Sequence, residues 1–383
     1  MKVTKTNISI CMLGHKRIPS REGGVELVVE ELASRMVENG YSVTCFNRKG
    51  HHVSGNSFDN YAVNIQEYKG IKLKTVFAID FKGLAAITAS FFGSVKATIG
   101  RYDIIHYHAE GPCLFLWLPK LFGRKCVTTI HGLDHQRAKW GKLARVCILL
   151  GEKVAVKYAD EIIVLSKSAK EYFKKTYNRE TVLIPNGVNT VEIVPAKIIK
   201  NKYNLEKESY ILFLGRIVPE KGITYLIDAF SKVNTQKQLV IAGGSSDSED
   251  FFNSVRSRGS LDKRIIFTGF VQGQELAELY SNAYLYVLPS DLEGMPLSLL
   301  EAMSYGNCCL TSDIPECTEV TEDKALYFKK SNIQDLRSKL QYLCDNRQIV
   351  TQYKNNASDF ICNKYNWYEI ANKTIEVYRK VLR

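Results

Sequence analysis

Two acidic side chains flank a transition from a strand to a helix in the second half of the chain. The segment reads Glu293-Gly294-Met295-Pro296-Leu297-Ser298-Leu299-Leu300-Glu301, after the apolar run 284–288 and into a helical pattern over 296–305. Pro296 suits the first helical turn, because its missing N–H costs no hydrogen bond there. Glu293 is then expected in the loop and Glu301 about two turns inside the helix. Carboxylates so placed can accept hydrogen bonds from hydroxyls on two different sugars, and the helix start favours an anion. The alternative is a capped helix that carries one surface glutamate.

An arginine and a lysine follow the apolar strand pattern 210–215. Arg216 and Lys221 are separated by a turn that contains Pro219, within the sequence GRIVPEKG. A guanidinium fork and an ammonium group at a strand end are suited to clamp a diphosphate. In a transfer reaction they would neutralise the charge that grows on the leaving group. A turn with two solvated basic residues is the alternative, but the acidic pair further along the chain favours the clamp.

A glycine pair and a histidine follow strand patterns in the first half. Gly23 and Gly24 come after the strand pattern 8–14 and open a helical pattern, which lets backbone amides approach a phosphate or a sugar. The segment is not GxGxxG, so a dinucleotide fingerprint is excluded. His131 ends the strand pattern 126–131 and is followed by glycine, which places it at a strand terminus, although a lone histidine is more often structural. No metal is predicted, because HExxH-type spacing is missing from the remaining histidines, which are His15, His51, His52, His106, His108 and His135.

Alternating strands and helices must position these side chains. Short apolar runs recur at 8–14, 42–47, 71–77, 103–108, 126–131, 161–166 and 182–185, and again at 210–215, 238–242, 265–270, 284–288 and 308–311. Helical patterns lie between many of them, and this alternation is typical of parallel sheets with right-handed crossovers. The sequence predicts an α/β protein with two doubly wound, Rossmann-like domains that face a central cleft. The first domain is expected at 1–190 and the second at 191–363, with a helix in 364–383 that packs back on the first.

The composition fits a folded protein of two domains. The chain has 383 residues, of which 45% are hydrophobic and 24% charged. Its ten cysteines form no CxxC pair, so we expect reduced thiols and a cytoplasmic location. The apolar run before Gly14 is too short for a signal peptide and predicts a first strand instead.

The positive charge is confined to the first half. Residues 1–190 contain 28 Lys and Arg against 16 Asp and Glu, whereas 191–383 contain 24 of each. This asymmetry predicts an anionic partner for the first domain, such as a phosphorylated acceptor or an anionic membrane, or else a basic surface that aids solubility. Nucleic acid is disfavoured, because the basic residues are not interleaved with aromatic ones.

These motifs together resemble the family 4 glycosyltransferases, which are retaining enzymes of the GT-B fold. The resemblance rests on E-x7-E at 293–301, GR-x4-KG at 215–222, PNGV at 185–188 and the glycine pairs at 23–24 and 243–244, together with His131-Gly132. It covers nearly the whole chain. Many members build bacterial capsule, O-antigen and exopolysaccharide, so the resemblance implies a hexose-type transfer from a nucleotide-diphosphate sugar, without a cofactor or a metal.

The resemblance also implies a role for each motif. Arg216 and Lys221 would bind the donor diphosphate, and Glu301 the ribose. Glu293 would orient the transferred sugar, with Gly294, Met295, Pro296 and Leu297 beside it. His131 would touch that sugar, and Gly23 and Gly24 would approach the phosphates. The acceptor would be a glycan or an undecaprenyl-diphosphate-linked saccharide bound by the first domain.

The pattern 141–158 predicts a helix with basic residues at 142, 145, 153 and 157 around an apolar body. It is either a core helix with a solvated face or a peripheral contact with the anionic inner face of the cell membrane. Two further classes of function stay open at this point. One is a nucleotide-sugar epimerase on a GT-B-like fold, and the other is a non-enzymatic module that binds anionic membranes.

Overall fold

The computed structural model describes residues 8–21, 23–50, 65–79, 81, 83–137, 140–244 and 249–383. The chain forms two compact units: unit 1 extends to Asn186 and includes Trp367–Arg383, and unit 2 is Gly187–Asn366. Each unit has its own parallel sheet with helices between successive strands, which confirms the predicted α/β fold class.

Unit 1 contains an eight-stranded sheet in the order β3-β4-β2-β1-β5-β6-β7-β8. Its strands are β1 Ser9–Leu13, β2 Ser42–Arg48, β3 Glu67–Tyr68, β4 Ile71–Val76, β5 Ile104–His108, β6 Lys125–Ile130, β7 Glu161–Val164 and β8 Val182–Leu183. Its helices are α1 Gly24–Glu38, α2 Leu84–Ile99, α3 Trp117–Leu121, α4 Lys142–Tyr158 and α5 Lys167–Tyr177, with short 3₁₀ helices at Gly111–Phe115 and Asp134–Gln136. All pairings are parallel except β3 with β4.

Unit 2 contains a six-stranded parallel sheet in the order β11-β10-β9-β12-β13-β14. Its strands are β9 Tyr210–Leu214, β10 Gln238–Ala242, β11 Ile265–Gly269, β12 Leu285–Leu288, β13 Cys309–Ser312 and β14 Leu326–Phe328. Its helices are α6 Ile198–Tyr203, α7 Ile223–Phe230, α8 Glu249–Gly259, α9 Gly273–Asn282, α10 Leu297–Ser304, α11 Pro315–Thr321, α12 Ile333–Asp345 and α13 Arg347–Lys364, with a 3₁₀ helix at Pro219–Lys221. The strand order reverses beside β9, so the loops that follow β9 and its neighbour β12 lie together at the carboxyl ends of the strands.

The helical tail is interrupted and returns to unit 1. The pattern 347–380 looks helical, and the structure divides it into α13, which ends at Lys364, and the last helix, α14, which begins at Trp367. The backbone breaks because Val188 N–H donates to the Tyr365 carbonyl at 2.7 Å. α14 (Trp367–Leu382) then packs on α1, where the Arg35 guanidinium lies 4.8 Å from the centre of the Tyr368 ring.

The cores are built from the central strands. Every residue of β5 is buried, as are the inner four residues of β1 and all of β12 and β13. Strands buried on both faces are expected where helices cover both sides of a parallel sheet. Among the described helices, none is both long enough and apolar enough to span a bilayer.

Candidate active site

The cationic motif of unit 2 begins where β9 ends. Gly215 donates its N–H to the Ala242 carbonyl at 3.0 Å, which extends the pairing with β10 by one residue. Gly243 (φ +151°) lies so close that a Cβ there would fall 1.8 Å from the Gly215 carbonyl oxygen. Only glycine permits this approach. Arg216 follows at the strand end, half-buried, as the sequence predicts.

Lys221 is brought back toward the neighbouring strand by a glycine. It ends the 3₁₀ helix Pro219–Lys221, and Gly222 takes a left-handed conformation with φ +66°. A Cβ at Gly222 would lie 2.1 Å from the Pro289 carbonyl oxygen, so a larger residue would push this turn away from the end of β12.

Hydrogen bonds tie the loop after β9 to the loop after β12. Asp291 N–H donates to the Glu220 carbonyl at 2.8 Å, and the Tyr225 hydroxyl donates to the Asp291 carboxylate at 2.8 Å. The same hydroxyl also contacts the Pro289 carbonyl oxygen. Since β9 and β12 are also paired strands, the motifs at 215–222 and 293–301 are held together at the carboxyl ends of these two strands.

The structure joins the two motifs through an ion pair. Lys221 Nζ lies 2.5 Å from Glu293 Oε1, and the Ser290 hydroxyl donates to the same oxygen at 2.6 Å. The Lys221 and Glu293 side chains are only 13% and 10% exposed. Both bonds use Oε1, so within the described part of the chain Glu293 Oε2 is left to accept from a ligand hydroxyl. Ser290 was missed by the sequence argument, since a lone serine after a strand carries no signal.

Glu301 lies closer to the helix start than predicted. α10 begins at Leu297 with Pro296 as its N-cap residue, so Pro296 precedes the first turn and Glu301 is the fifth helical residue, not two turns inside. The cause is the extended conformation of Pro296, whose carbonyl already accepts from Leu299 and Leu300. The Tyr280 hydroxyl donates to Glu301 Oε2 at 3.2 Å and orients the carboxylate.

The N-terminal turn of α10 is also anchored to the sheet. Gly294, Met295 and Pro296 are buried and form the loop between Glu293 and the helix. The Tyr286 hydroxyl on β12 lies 2.9 Å from Ser298 Oγ and 3.3 Å from the Leu214 carbonyl oxygen, within hydrogen-bond distance of both. The loop and the first turn therefore have little freedom, which suits a site that must hold a ligand in one pose.

His131 lies in a row of histidines in unit 1. β6 ends at Ile130, one residue before His131, and His131 Nε2 lies 3.0 Å from Nδ1 of the fully buried His108. His106 Nδ1 contacts the Tyr378 hydroxyl at 2.6 Å. Burial lowers the pKa of His131 to about 4 and that of His106 to about 3, so both rings are neutral at physiological pH.

Gly23 and Gly24 lie at the start of α1, as predicted. Gly23 is the N-cap residue in an extended conformation, and Gly24 is the first helical residue. Glu26 in the first turn is buried and accepts from the Lys16 N–H at 2.8 Å. Burial lowers the pKa of both His15 and His131, and the negative charge of Glu26 acts in the opposite direction on each. The start of α1 therefore lies near both histidines. Unit 1 thus brings together Gly23, Gly24 and His131, whereas the other predicted site residues belong to unit 2.

A second polar group in unit 1 was missed by the sequence argument. Glu110, His135 and Glu152 offer ligand atoms that all lie within 4.8 Å of one another. Burial, followed by the adjacent Glu152, raises the pKa of the Glu110 carboxyl far above its ordinary value. The three residues belong to separate elements with no motif spacing, so only the fold reveals them. Of the other histidines, His51 and His52 lie outside the described residues.

The chain matches two families of sugar-transferring enzymes. Residues 196–360 match "Glycosyl transferases group 1", and residues 22–192 match "Glycosyltransferase Family 4". The chain is a family 4 glycosyltransferase. In this family 4 glycosyltransferase the group 1 match covers most of unit 2, and the family 4 match covers most of unit 1.

Relatives agree with this family, and a solved structure shows the fold. An uncharacterized glycosyltransferase of Methanocaldococcus jannaschii is 26% identical over 97% of this chain and 98% of its own length. The UDP-Gal:alpha-D-GlcNAc-diphosphoundecaprenol alpha-1,3-galactosyltransferase of Escherichia coli is 26% identical over 73% of this chain and 75% of its own. A solved sucrose-phosphate synthase from Thermosynechococcus elongatus superimposes with a TM-score of 0.82 over 98% of this chain and 99% of that one, at 23% identity, which shows the GT-B fold.

Proposed function

We propose that this glycosyltransferase moves a hexose-type sugar from a nucleotide-diphosphate sugar to a lipid-linked saccharide, with retention of anomeric configuration, in the assembly of a cell-surface polysaccharide. The observation that carries the proposal is the buried contact between Lys221 and Glu293 at the end of β9 and β12. This contact places the Lys221 ammonium, which can bind a phosphate, beside the Glu293 carboxylate, which can bind sugar hydroxyls. The phosphate and the sugar are adjacent in a nucleotide sugar.

The cations of unit 2 would bind the donor diphosphate. Arg216 offers a planar fork of donors and Lys221 a point charge. Both lie in the segment after β9, which the contact of Lys221 with Glu293 joins to the loop before α10. Preorganised cations of this kind stabilise charge on the departing phosphate without a metal. The Glu301 carboxylate, which Tyr280 orients, would accept from the ribose hydroxyls.

Glu293 would orient the sugar and would not act as a nucleophile. Its Oε1 is occupied by Lys221 and Ser290, which lowers its availability for attack and directs Oε2 toward hydroxyls. As the resemblance to the family implies, the acceptor hydroxyl would attack the anomeric carbon on the face from which the phosphate departs. The departing phosphate takes the proton, and the configuration is retained. The contact of His131 with the donor sugar stays a prediction.

A lipid-linked acceptor is supported by an exposed apolar stripe on α4. Leu143, Val146 and Leu150 are 80%, 52% and 46% exposed, and their spacing places them on one helical face. Three exposed basic side chains flank the stripe, at Lys142, Arg145 and Lys153. An amphipathic helix with exposed leucines among basic residues suits the interface of an anionic membrane. This combination favours the membrane contact over a purely solvated face.

An apolar cavity lies beside this surface. It has a volume of about 170 Å³ and is bounded by Ala86, Ile87 and Ser90 of α2 and by Ala144, Cys147 and Ile148 of α4. The outer face of α2 and the loop before it carry exposed aromatic rings at Phe77, Phe81, Phe91 and Phe92. A cavity between two helices with exposed apolar side chains suits the first isoprene units of a polyprenyl diphosphate.

Sugar transfer is tested in two steps. A thermal-shift panel of nucleotide sugars identifies the donor, since a ligand at 100 times its Kd stabilises by about 2.7 kcal/mol. The enzyme is then incubated with that donor, labelled in the sugar, and with polyprenyl-diphosphate-linked saccharides. Label in the lipid fraction is the expected result. Label that stays in the nucleotide sugar with a changed configuration would instead identify an epimerase.

The membrane contact has its own test. Flotation with anionic vesicles is expected to recover the wild-type protein, and recovery is expected to fall strongly in Leu143→Glu and Leu150→Glu. Leu261→Glu is the matched control, because Leu261 is a leucine of unit 2 that is 87% exposed. Equal recovery of all four proteins, or no recovery of the wild type, would remove the membrane contact.

A further inference from the structure

Three buried polar side chains from separate elements meet in unit 1. Glu110 follows β5, His135 lies in the 3₁₀ helix Asp134–Gln136, and Glu152 lies within α4. The Glu110 and Glu152 side chains are 0% exposed and that of His135 is 14% exposed. Nothing in the proposed transfer reaction uses them.

Each of these side chains presents an atom without a hydrogen-bond partner. Glu110 Oε1, Glu152 Oε2 and His135 Nδ1 are buried and have no hydrogen-bond partner within the described chain. Nδ1 lies 3.4 Å from the Glu152 oxygen and 3.9 Å from the Glu110 oxygen. Tetrahedral ligands at about 2.0–2.2 Å from Zn²⁺ lie about 3.3–3.6 Å apart, so the three atoms are close to a coordinating arrangement.

The second oxygen of each carboxylate is held in place. Asp134 N–H donates to Glu110 Oε2 at 2.9 Å. The Tyr172 hydroxyl donates to Glu152 Oε1 at 2.9 Å, and the Tyr177 hydroxyl donates to the same oxygen. Outer contacts of this kind orient the ligands of metal sites. They turn the unpaired oxygens toward each other and toward His135.

The backbone is adapted to bring the carboxylates together. A Cβ at Gly151 would lie 2.2 Å from the Glu110 carbonyl oxygen, so α4 approaches the segment after β5 only because residue 151 is glycine. This contact places the next residue of the helix, Glu152, beside Glu110. Two carboxylates buried side by side are costly unless a cation or a shared proton compensates their charge.

We propose that Glu110, His135 and Glu152 bind a divalent transition-metal ion, with Zn²⁺ as the best fit. Two carboxylate oxygens and one imidazole nitrogen supply three ligands, and the partly exposed side of His135 leaves a fourth position for water. The ion neutralises the buried carboxylates. It also links the segments after β5 and β6 to α4, and so fixes the loop that begins at His131. The role is structural, and its test does not depend on the proposed sugar transfer.

Metal content is the direct test. The protein is freed of metal with a chelator, incubated with Zn²⁺, separated by gel filtration and measured by elemental mass spectrometry. One zinc per chain is expected in the wild type and in Glu171→Gln, a control at a glutamate that is 67% exposed. Glu152→Gln and His135→Ala are expected to hold none. Zn²⁺ is also expected to raise the Tm of the wild type by about 5 °C at saturation.

Two readouts keep the test decisive if Glu152→Gln does not fold. His135→Ala changes the most exposed ligand and leaves the carboxylates in place. Co²⁺ in the wild type is expected to give the visible absorption of a four-coordinate ion, and His135→Ala is expected to lose it. A wild-type protein that holds no zinc and keeps its Tm when Zn²⁺ is added would overturn the proposal, and the carboxylates then share a proton.

Discussion

Removal of the charge of Lys221 separates its structural role from its chemical one. In Lys221→Met the Glu293 carboxylate keeps its hydrogen bond from Ser290 but loses its cation, at a site where it is only 10% exposed. Breaking a buried pair by removal of one partner costs 3–5 kcal/mol. With this slight exposure we expect about 3 kcal/mol, which is about 6–12 °C in Tm for a unit of this size.

The double variant gives the decisive comparison. Glu293→Gln alone leaves an unpaired ammonium and is also expected to be destabilised. Lys221→Met with Glu293→Gln leaves no buried charge, so we expect most of the stability to return. Turnover is not expected to return. Loss of one preorganised cation from the diphosphate site costs about 10²-fold or more, and the second substitution does not replace it.

The assays are thermal unfolding and initial rates with the donor that the panel identifies. Lys324→Met is the matched control, because Lys324 pairs with Asp323 on the surface, where the two side chains are 35% and 77% exposed. An exposed pair contributes at most about 1 kcal/mol. Near-normal turnover in Lys221→Met, or recovery of turnover in the double variant, would refute the role of the clamp.

Three further predictions concern the donor, the metal and the pH. Glu301→Ala is expected to weaken donor binding about tenfold, measured by calorimetry, and an unchanged Kd would remove the ribose role. Turnover of Glu152→Gln is expected to be insensitive to EDTA, because Arg216 and Lys221 neutralise the diphosphate; loss that Mn²⁺ restores would contradict this. Burial lowers the pKa of His106 to about 3 and of His131 to about 4. The unfolded chain therefore binds more protons between about pH 4 and 6.5, so stability is complete above about pH 6.5 and falls as the pH drops through that window, by up to about 1.4 kcal/mol per pH unit for each histidine. Urea midpoints that are equal at pH 7 and pH 5 would contradict the last prediction.

The fold could be predicted because its signals are local and repeated. Strands such as β1, β5 and β12 are short apolar runs, and helices follow them with a different period, so two parallel sheets are readable from the sequence. The two-residue β3 and the three-residue β14 were missed, because a run of two or three residues is too short to show an apolar pattern. The exact position of the break between α13 and α14 was not predictable for another reason. It depends on a hydrogen bond from Val188, which is distant in the sequence.

The site was predictable in its motifs and not in its contacts. Arg216, Lys221, Glu293 and Glu301 follow strands that the sequence identifies, and ligands collect at such strand ends. The pairing of Lys221 with Glu293 depends on the left-handed Gly222 and on the adjacency of β9 and β12, which the spacing does not encode. Glu110, His135 and Glu152 lay outside the prediction, because they come from three elements and meet only in the folded unit.

The central claim is that the motifs after β9 and β12 hold one nucleotide sugar. A crystal structure with the donor's nucleoside diphosphate bound tests it most directly. We expect phosphate oxygens within hydrogen-bond distance of Arg216 and Lys221, and ribose hydroxyls on Glu301. A nucleotide that binds elsewhere, with these side chains unchanged, would contradict it.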